Sequence, residues 1–185
     1  DLTVICNYGG TGPAYDENGA MTVAPTGNGK LINNKCVKKL IASHIGLNKE
    51  VAQQMNAGEL EVELVPQGTL AEIIRAGGAG LGGILTPTGI GTEVAEGKDV
   101  INIDGKDYLL VKPLKADVAL LRGSIVDTKG NVYYHNTTKN FQIPMATAAD
   151  VVIVAAEKIV EPGELDPNYV MTPFIFVDYI VGGEK

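Results

Sequence analysis

Apolar residues fall in short blocks rich in β-branched side chains, separated by polar or turn-forming intervals. Leu2 to Cys6, Lys39 to Ala42 and Leu60 to Val65 read as strands, with helices over Lys49 to Asn56 and Thr69 to Arg75. Strand and helix alternate in the order that builds a parallel sheet with crossover helices. The apolar blocks are near-continuous, as expected of strands covered on both faces. After Gly97 the pattern changes: Val100 to Ile103 and Tyr108 to Val111 flank Asp104-Gly105, a strong hairpin signal. Val118 to Leu121 and Val151 to Val154 return to buried-strand character, Lys129-Gly130-Asn131 marks a turn between Ile125 and Tyr133, and Phe174 to Val181 closes the apolar sequence. Asn7 to Asn34 is rich in Gly, Pro, Asn and Thr and reads as one long loop. The fold class expected is α/β, an open and mostly parallel sheet with flanking helices and an antiparallel hairpin addition.

The chain has 185 residues, 45% of them hydrophobic, which suits one well-buried core, so a single domain over residues 1–185 is expected. A net charge of -7 with scattered Lys and Arg leaves no basic stripe for a phosphate backbone, which argues against nucleic acid. No apolar run reaches the length of a bilayer span and no export signal opens the chain, so a cytoplasmic location is expected. Cys6 and Cys36 are too few for a disulfide framework or a zinc site, and no metal ligand set is read.

The densest chemistry runs from Leu64 to Thr92. Gln67 follows Pro66 at a strand end and opens a helix, which reads as a buried amide beside a glycine-dense wall from Gly77 to Gly83. At the carboxyl edge of an open sheet, such an amide can stabilise an oxyanion without itself titrating. Equally, it can serve as a helix-start residue bonded to its own backbone. Gly78-Ala79-Gly80-Leu81-Gly82-Gly83 has the spacing of a dinucleotide fingerprint, but it follows a helix and leads into Ile84-Leu85, the reverse of strand-then-helix. Those glycines either let a ligand or second chain lie on the backbone or form a tight turn. Gly29-Lys30 is no phosphate loop, because Leu31 replaces the hydroxyl residue. Asp16-Glu17-Asn18-Gly19 reads as a solvated turn with a minor claim to a catalytic carboxylate, and His44 and His135 lack an acidic partner at ligand spacing.

Leu40 to Gly46, Gly58 to Leu64, Pro66-Gln67-Gly68-Thr69-Leu70, Ala76 to Gly83, Thr86 to Thr92 and Lys139-Asn140-Phe141 together resemble the α subunit of class I coenzyme A transferases, from Leu2 to about Gly182. The resemblance implies a CoA transferase-like fold and a ping-pong exchange of coenzyme A between short-chain acyl-CoA and a carboxylate, of the acetate/butyrate/acetoacetate type. A glutamate would attack the thioester and then carry CoA as a glutamyl thioester. That glutamate belongs to the β subunit, so the resemblance implies a β-subunit partner, an α₂β₂ assembly, coenzyme A as substrate and no tightly bound cofactor. It assigns Gln67 to the oxyanion hole and Gly77, Gly78 and Gly80 to the glycine loop that receives the cofactor moiety; Asn140 and Phe141 match a segment without an assigned role.

Two departures carry expectations. The family's opening strand, helix and glycine loop have no counterpart, so Asp1 to Lys185 alone is expected to be inactive. The Tyr8 to Gly29 loop is longer and more polar than usual, which bears on acyl specificity and the local subunit contact. The alternative reading is a non-catalytic ligand-sensing domain of related fold that binds acyl-CoA or a sugar phosphate.

Overall fold

The computed structural model describes residues 1–184; Lys185, the last residue of the expected domain, lies outside them. The chain divides into two compact units, one from Asp1 to Leu70 and the other from Ala71 onward.

The first unit is built on a three-stranded parallel sheet. Strands β1 (Leu2–Tyr8), β4 (Val37–His44) and β5 (Glu61–Leu64) lie in the order β1-β4-β5, after a hairpin β2 (Ala14–Tyr15) and β3 (Met21–Val23) and helix α1 (Asn28–Asn33). Helix α2 (Lys49–Asn56) is the crossover from β4 to β5. Val37, Leu40, Ala42, Val51, Leu60 and Ile32 form the core, so the buried face of β4 meets one residue from each helix. Asn48 starts α2: its Oδ1 accepts from the Glu50 N–H and its Nδ2 donates to the Gly9 carbonyl at 2.8 Å. Gln54 Nε2 donates at 2.8 Å to the Ile32 carbonyl, which also accepts the Lys35 N–H at 2.9 Å, so the end of α1 is tied to α2. The expected structureless stretch from Asn7 to Asn34 is corrected here, since it holds a hairpin and a helical turn and a half. The hairpin strands are two and three residues long and exposed, too short to leave a periodic apolar signal.

Helix α3 (Gln67–Gly78) leads into the second unit. There β6 (Ile84–Thr86), β7 (Val100–Ile103) and β8 (Lys106–Val111) form an antiparallel sheet in the order β6-β8-β7. Asp104 and Gly105 both take positive φ, 51° and 81°, as a type I′ hairpin turn requires. Strands β9 (Ala116–Asp127), β10 (Val132–Tyr133), β11 (Ala149–Val160) and β12 (Tyr179–Glu184), with helix α4 (Gln142–Thr147) as the β10-to-β11 connection, make a sheet ordered β10-β9-β11-β12. Within it β9, β11 and β12 are parallel and only β10 is antiparallel. The parallel strands and flanking helices expected from the alternation are therefore present, shared between two sheets.

Leu121, Val126, Val132, Tyr134, Val152 and Val154 fill this second core. The turn after β9 is held by Asp127, whose Oδ1 accepts from the N–H groups of Lys129, Gly130 and Asn131, while its Oδ2 accepts from the Asn131 amide at 2.7 Å. Burial alone would raise the Asp127 carboxyl, but these donors outweigh it and hold the group below the usual carboxylate range. Tyr134 and Thr172 share a buried hydroxyl pair at 2.8 Å. One expectation fails on β9: Ala119 and Leu121 are buried but Val118 and Leu120 are 46% and 66% exposed, so the strand alternates like one covered on a single face.

Candidate functional site

In a parallel sheet all carboxyl ends point the same way, and open α/β sheets bind ligands at that edge. In the first unit the edge is formed by Asn7 and Tyr8 of β1, Ser43 and His44 of β4, and the segment after Leu64. Tyr8 pairs in register with His44 and Ala42 with Leu64, which brings Asn7 and Ser43 alongside each other one residue before their strands end. The Val65 N–H donates to the Ala42 carbonyl at 2.9 Å, prolonging the ladder by one residue. Pro66 then ends it, having no N–H to pair. Its carbonyl accepts from the Leu70 N–H at 2.8 Å, so α3 starts directly over the edge with Gln67 as its first residue.

There the Gln67 amide meets Ser43. Ser43 Oγ contacts Gln67 Oε1 and also the Asn7 carbonyl, the latter at 2.8 Å. The hydroxyl thus lies in a three-centre arrangement between a β1 backbone acceptor and a side-chain acceptor on α3. With Oε1 engaged, the amide's donor is Nε2. The three groups that meet are all neutral at every accessible pH, so what they offer a ligand is dipole and hydrogen bond, with no proton to transfer. This is the chemistry for steadying a carbonyl oxygen as it gains negative charge.

Of the two sequence-level readings of Gln67, projection over the sheet edge is the one observed. Its expected burial is corrected: Gln67 and Gly68 are exposed, and burial along α3 begins at Thr69 and Leu70. Gln67 is the first residue of α3, and Gly77 and Gly78 are its last two.

The glycines have local reasons of their own. A Cβ on Gly77 would stand 1.9 Å from the Leu114 carbonyl oxygen, and one on Gly78 would stand 2.0 Å from Thr147 Oγ1, so both positions are filled by the chain itself. Gly80 takes φ 70° and lets the Leu81 N–H reach the Ala76 carbonyl at 2.9 Å, which closes α3 with a left-handed cap. A Cβ there would meet nothing within 4 Å.

The remaining candidates separate from this edge. Glu17 sits in the exposed turn of the β2–β3 hairpin, where Asp16 Oδ1 accepts from the Asn18 and Ala20 N–H groups, both at 2.9 Å. His135 packs edge-on against Tyr133 with ring centroids 5.0 Å apart. Phe141 precedes α4 and accepts the Met145 N–H through its carbonyl; Asn140 donates its N–H to the Thr137 carbonyl. Burial pushes the Cys6 thiol up to about 11 against the lowering pull of hydrogen bonds with the Asn28 side chain and the Tyr8 backbone, which removes it as a thiolate nucleophile near neutral pH. Among the described residues no cluster of three or more His, Cys, Asp or Glu side chains could hold a metal ion, and no helix is long and apolar enough to cross a membrane. Ser43 is the group that sequence reasoning left out. Its only signal is a small hydroxyl residue at the end of the apolar run Val37 to Ala42, where strands hand over to the ligand edge.

Comparison with known proteins gives the family. A family model described as coenzyme A transferase matches residues 5–183. The acetoacetyl-CoA:acetate/butyrate CoA transferase alpha subunit of Clostridium acetobutylicum is 57% identical over 156 residues, which cover 84% of this chain and 72% of that protein. The acetate CoA-transferase subunit alpha of Escherichia coli K12 is 53% identical over 160 residues, 86% of this chain and 73% of that protein. Among solved structures, an acyl-CoA transferase from Escherichia coli O157:H7, determined as a thioester complex with CoA, superposes with a TM-score of 0.78 at 23% identity. That match covers 98% of this chain and 37% of the solved one. Glutaconate coenzyme A-transferase from Acidaminococcus fermentans gives 0.73 at 22% identity over 82% of this chain and 57% of the other. At these identities the structures speak for the fold, and the sequence matches speak for the lineage: the chain belongs to the coenzyme A transferase family, and its high-identity relatives are α subunits of that family.

Proposed function

We propose that this chain supplies the neutral, hydrogen-bonding side of an active site that moves coenzyme A between a short-chain acyl-CoA and a carboxylate acceptor, with the nucleophilic glutamate on a companion β subunit. The observation that carries the reading is the Gln67 amide, exposed at the carboxyl edge of a parallel sheet and held through its oxygen. In the first half-reaction the companion's carboxylate oxygen attacks the thioester carbonyl carbon and the carbonyl oxygen becomes an oxyanion. Nε2 of Gln67 donates to that oxygen. Collapse of the tetrahedral species expels CoA thiolate and leaves an acyl-glutamyl anhydride. The thiolate then attacks the glutamyl carbonyl, releases the acyl group as a free carboxylate and forms the glutamyl-CoA thioester; an acceptor carboxylate reverses the sequence. Each attack passes through an oxyanion, so one fixed donor can serve more than one step.

Acetate, butyrate and acetoacetate are the proposed substrates, in keeping with the names of the high-identity relatives. An α₂β₂ assembly is proposed on the same footing. Of the three loop glycines, Gly80 is proposed to face coenzyme A, since it is exposed and a Cβ there meets no neighbour. Gly77 and Gly78 would act on that loop through close packing.

The test is Gln67→Ala in the enzyme assembled with its companion subunit. Turnover between acetyl-CoA and acetoacetate should fall roughly 10²-fold or more, the scale for losing one oxyanion donor. Unchanged turnover would remove Gln67 from the chemistry. Acyl-CoA binding without any exchange by the assembled wild-type protein would favour the ligand-sensing alternative.

A further inference from the structure

We propose that Ser43 is a positioning residue for the exchange reaction: its hydroxyl holds Oε1 of Gln67 and so fixes the amide with the donor end toward the ligand. The inference rests on the assignment of Gln67 as oxyanion donor and names the group that makes that assignment work.

A glutamine amide has two ends of nearly equal size and opposite function. Oε1 accepts hydrogen bonds and Nε2 donates them. On an exposed first-turn residue, rotation about the last side-chain torsion exchanges the two at little cost, because that torsion is broad and roughly two-fold. If Oε1 faced the substrate, it would meet the developing oxyanion with a like partial charge. Something must therefore tell the ends apart. The residue also starts a helix, where free backbone N–H groups compete for Oε1 and would fold the side chain back along its own turn.

Ser43 meets both needs. Its Oγ sits on the penultimate residue of β4, fixed by the strand backbone and by the Asn7 carbonyl of the neighbouring strand at 2.8 Å. The same Oγ reaches Gln67 Oε1. A hydroxyl held beside Oε1 draws that oxygen away from the helix's own N–H groups and leaves Nε2, with two N–H bonds, as the end that a ligand meets. The Asn7 carbonyl is the competing acceptor for the single Ser43 proton, so the orienting effect is partial and its loss should be smaller than the loss of Gln67 itself. The contact joins β1, β4 and the start of α3 at one point, although the three segments are remote in sequence.

The measurement is a set of variants in the enzyme assembled with its companion subunit, followed by initial rates of CoA transfer from acetyl-CoA to acetoacetate. Ser43→Val removes the hydroxyl and introduces a β-branched side chain that suits a strand; Ser43→Thr has that same branched shape with the hydroxyl present. Ser43→Val should lower kcat roughly three- to tenfold, the range that one net hydrogen bond spans, with KM for acetyl-CoA within about a factor of two of wild type. Ser43→Thr should recover most of the lost kcat. In a Gln67→Ala background Ser43→Val should cost nothing further, because the group it acts through is gone. Wild-type kcat in Ser43→Val, failure of Ser43→Thr to improve on it, or a full additional loss on the Gln67→Ala background would each overturn the role given to Ser43. Should Ser43→Val fail to assemble, Ser43→Ala with the same double-mutant comparison gives the same decision. If Gln67→Ala alone leaves turnover intact, the oxyanion assignment fails instead; a large effect of Gln67→Ala beside a silent Ser43→Val overturns only the positioning role.

Discussion

Two glycines of one helix should respond to alanine with opposite signs. Gly68 is the second residue of α3, and a Cβ built there meets nothing within 4 Å. Alanine at such a position restricts the unfolded chain and favours helix, together about 0.4–1 kcal/mol of added stability. For a chain of this size that is about 1–4 °C in Tm. Gly77, on the last turn, gains the same helix preference but loses far more. Its Cβ would lie 1.9 Å from the Leu114 carbonyl oxygen and 2.9 Å from the carbonyl carbon, and both are backbone atoms with no rotamer to yield. Leu114 is itself tied to the helix, because its N–H donates to the Ile73 carbonyl at 2.9 Å. Overpacking costs roughly 1–3 kcal/mol and breaking that tether about 1 kcal/mol more. After subtracting about 1 kcal/mol of helix gain, Gly77→Ala should lose roughly 1–3 kcal/mol. Thermal unfolding of the two variants, read with hydrogen exchange of the α3 amides, measures both effects. A Gly77→Ala protein as stable as wild type, with unaltered exchange at Ile73 to Gly78, would refute the close approach on which the glycine explanation rests.

Other expectations concern single groups. Asp127 has a folded-state pKa held below its unfolded value, so its contribution to stability is present above the unfolded carboxylate range and is lost as pH falls through the folded value. An acid-unfolding series should therefore show Asp127→Asn with lower stability than wild type at pH 7 and a shallower decline below about pH 4. Iodoacetamide at pH 8 should modify the exposed Cys36 at least about tenfold faster than Cys6, since burial keeps the Cys6 thiol protonated; equal rates seen by peptide mass spectrometry would contradict that burial. Asn48→Ala removes a helix cap and leaves the Gly9 carbonyl without its donor, for a loss of roughly 2 kcal/mol in urea unfolding. A loss below about 0.5 kcal/mol would show that the cap contributes little.

Some of this architecture was legible because local and tertiary signals agree. Helix α2 runs from Lys49 to Asn56 as the pattern indicates. The Asp104-Gly105 turn requires two positive φ values and its residues can supply them, so the β7–β8 hairpin was visible from sequence. Helix α3 is longer than the periodicity from Thr69 to Arg75 suggests. It runs on through Gly77 and Gly78, poor helix formers kept helical because Leu114 and Thr147 pack into the space where their side chains would be. That contact involves residues nearly 40 and 70 positions away and leaves no local trace. The β2–β3 hairpin was missed for the opposite reason: its few exposed residues carry no burial pattern to detect. At the candidate site Gln67 stood out because a proline fixes the strand end just before it, whereas Ser43 gains its meaning only when three strands are placed side by side. A hydroxyl at a strand end is common; one that reaches the amide of another segment is a property of the fold.

The division of labour between the two chains is the claim most directly open to measurement. The enzyme assembled from this chain and its companion is incubated with acyl-CoA, reduced with borohydride to convert any glutamyl thioester to the alcohol, and both chains are digested for mass spectrometry. The modified glutamate should be found only in the companion, with every Glu of this chain, Glu17 included, unmodified. Reduction at a glutamate of this chain, or CoA exchange by this chain with no companion present, would contradict the account.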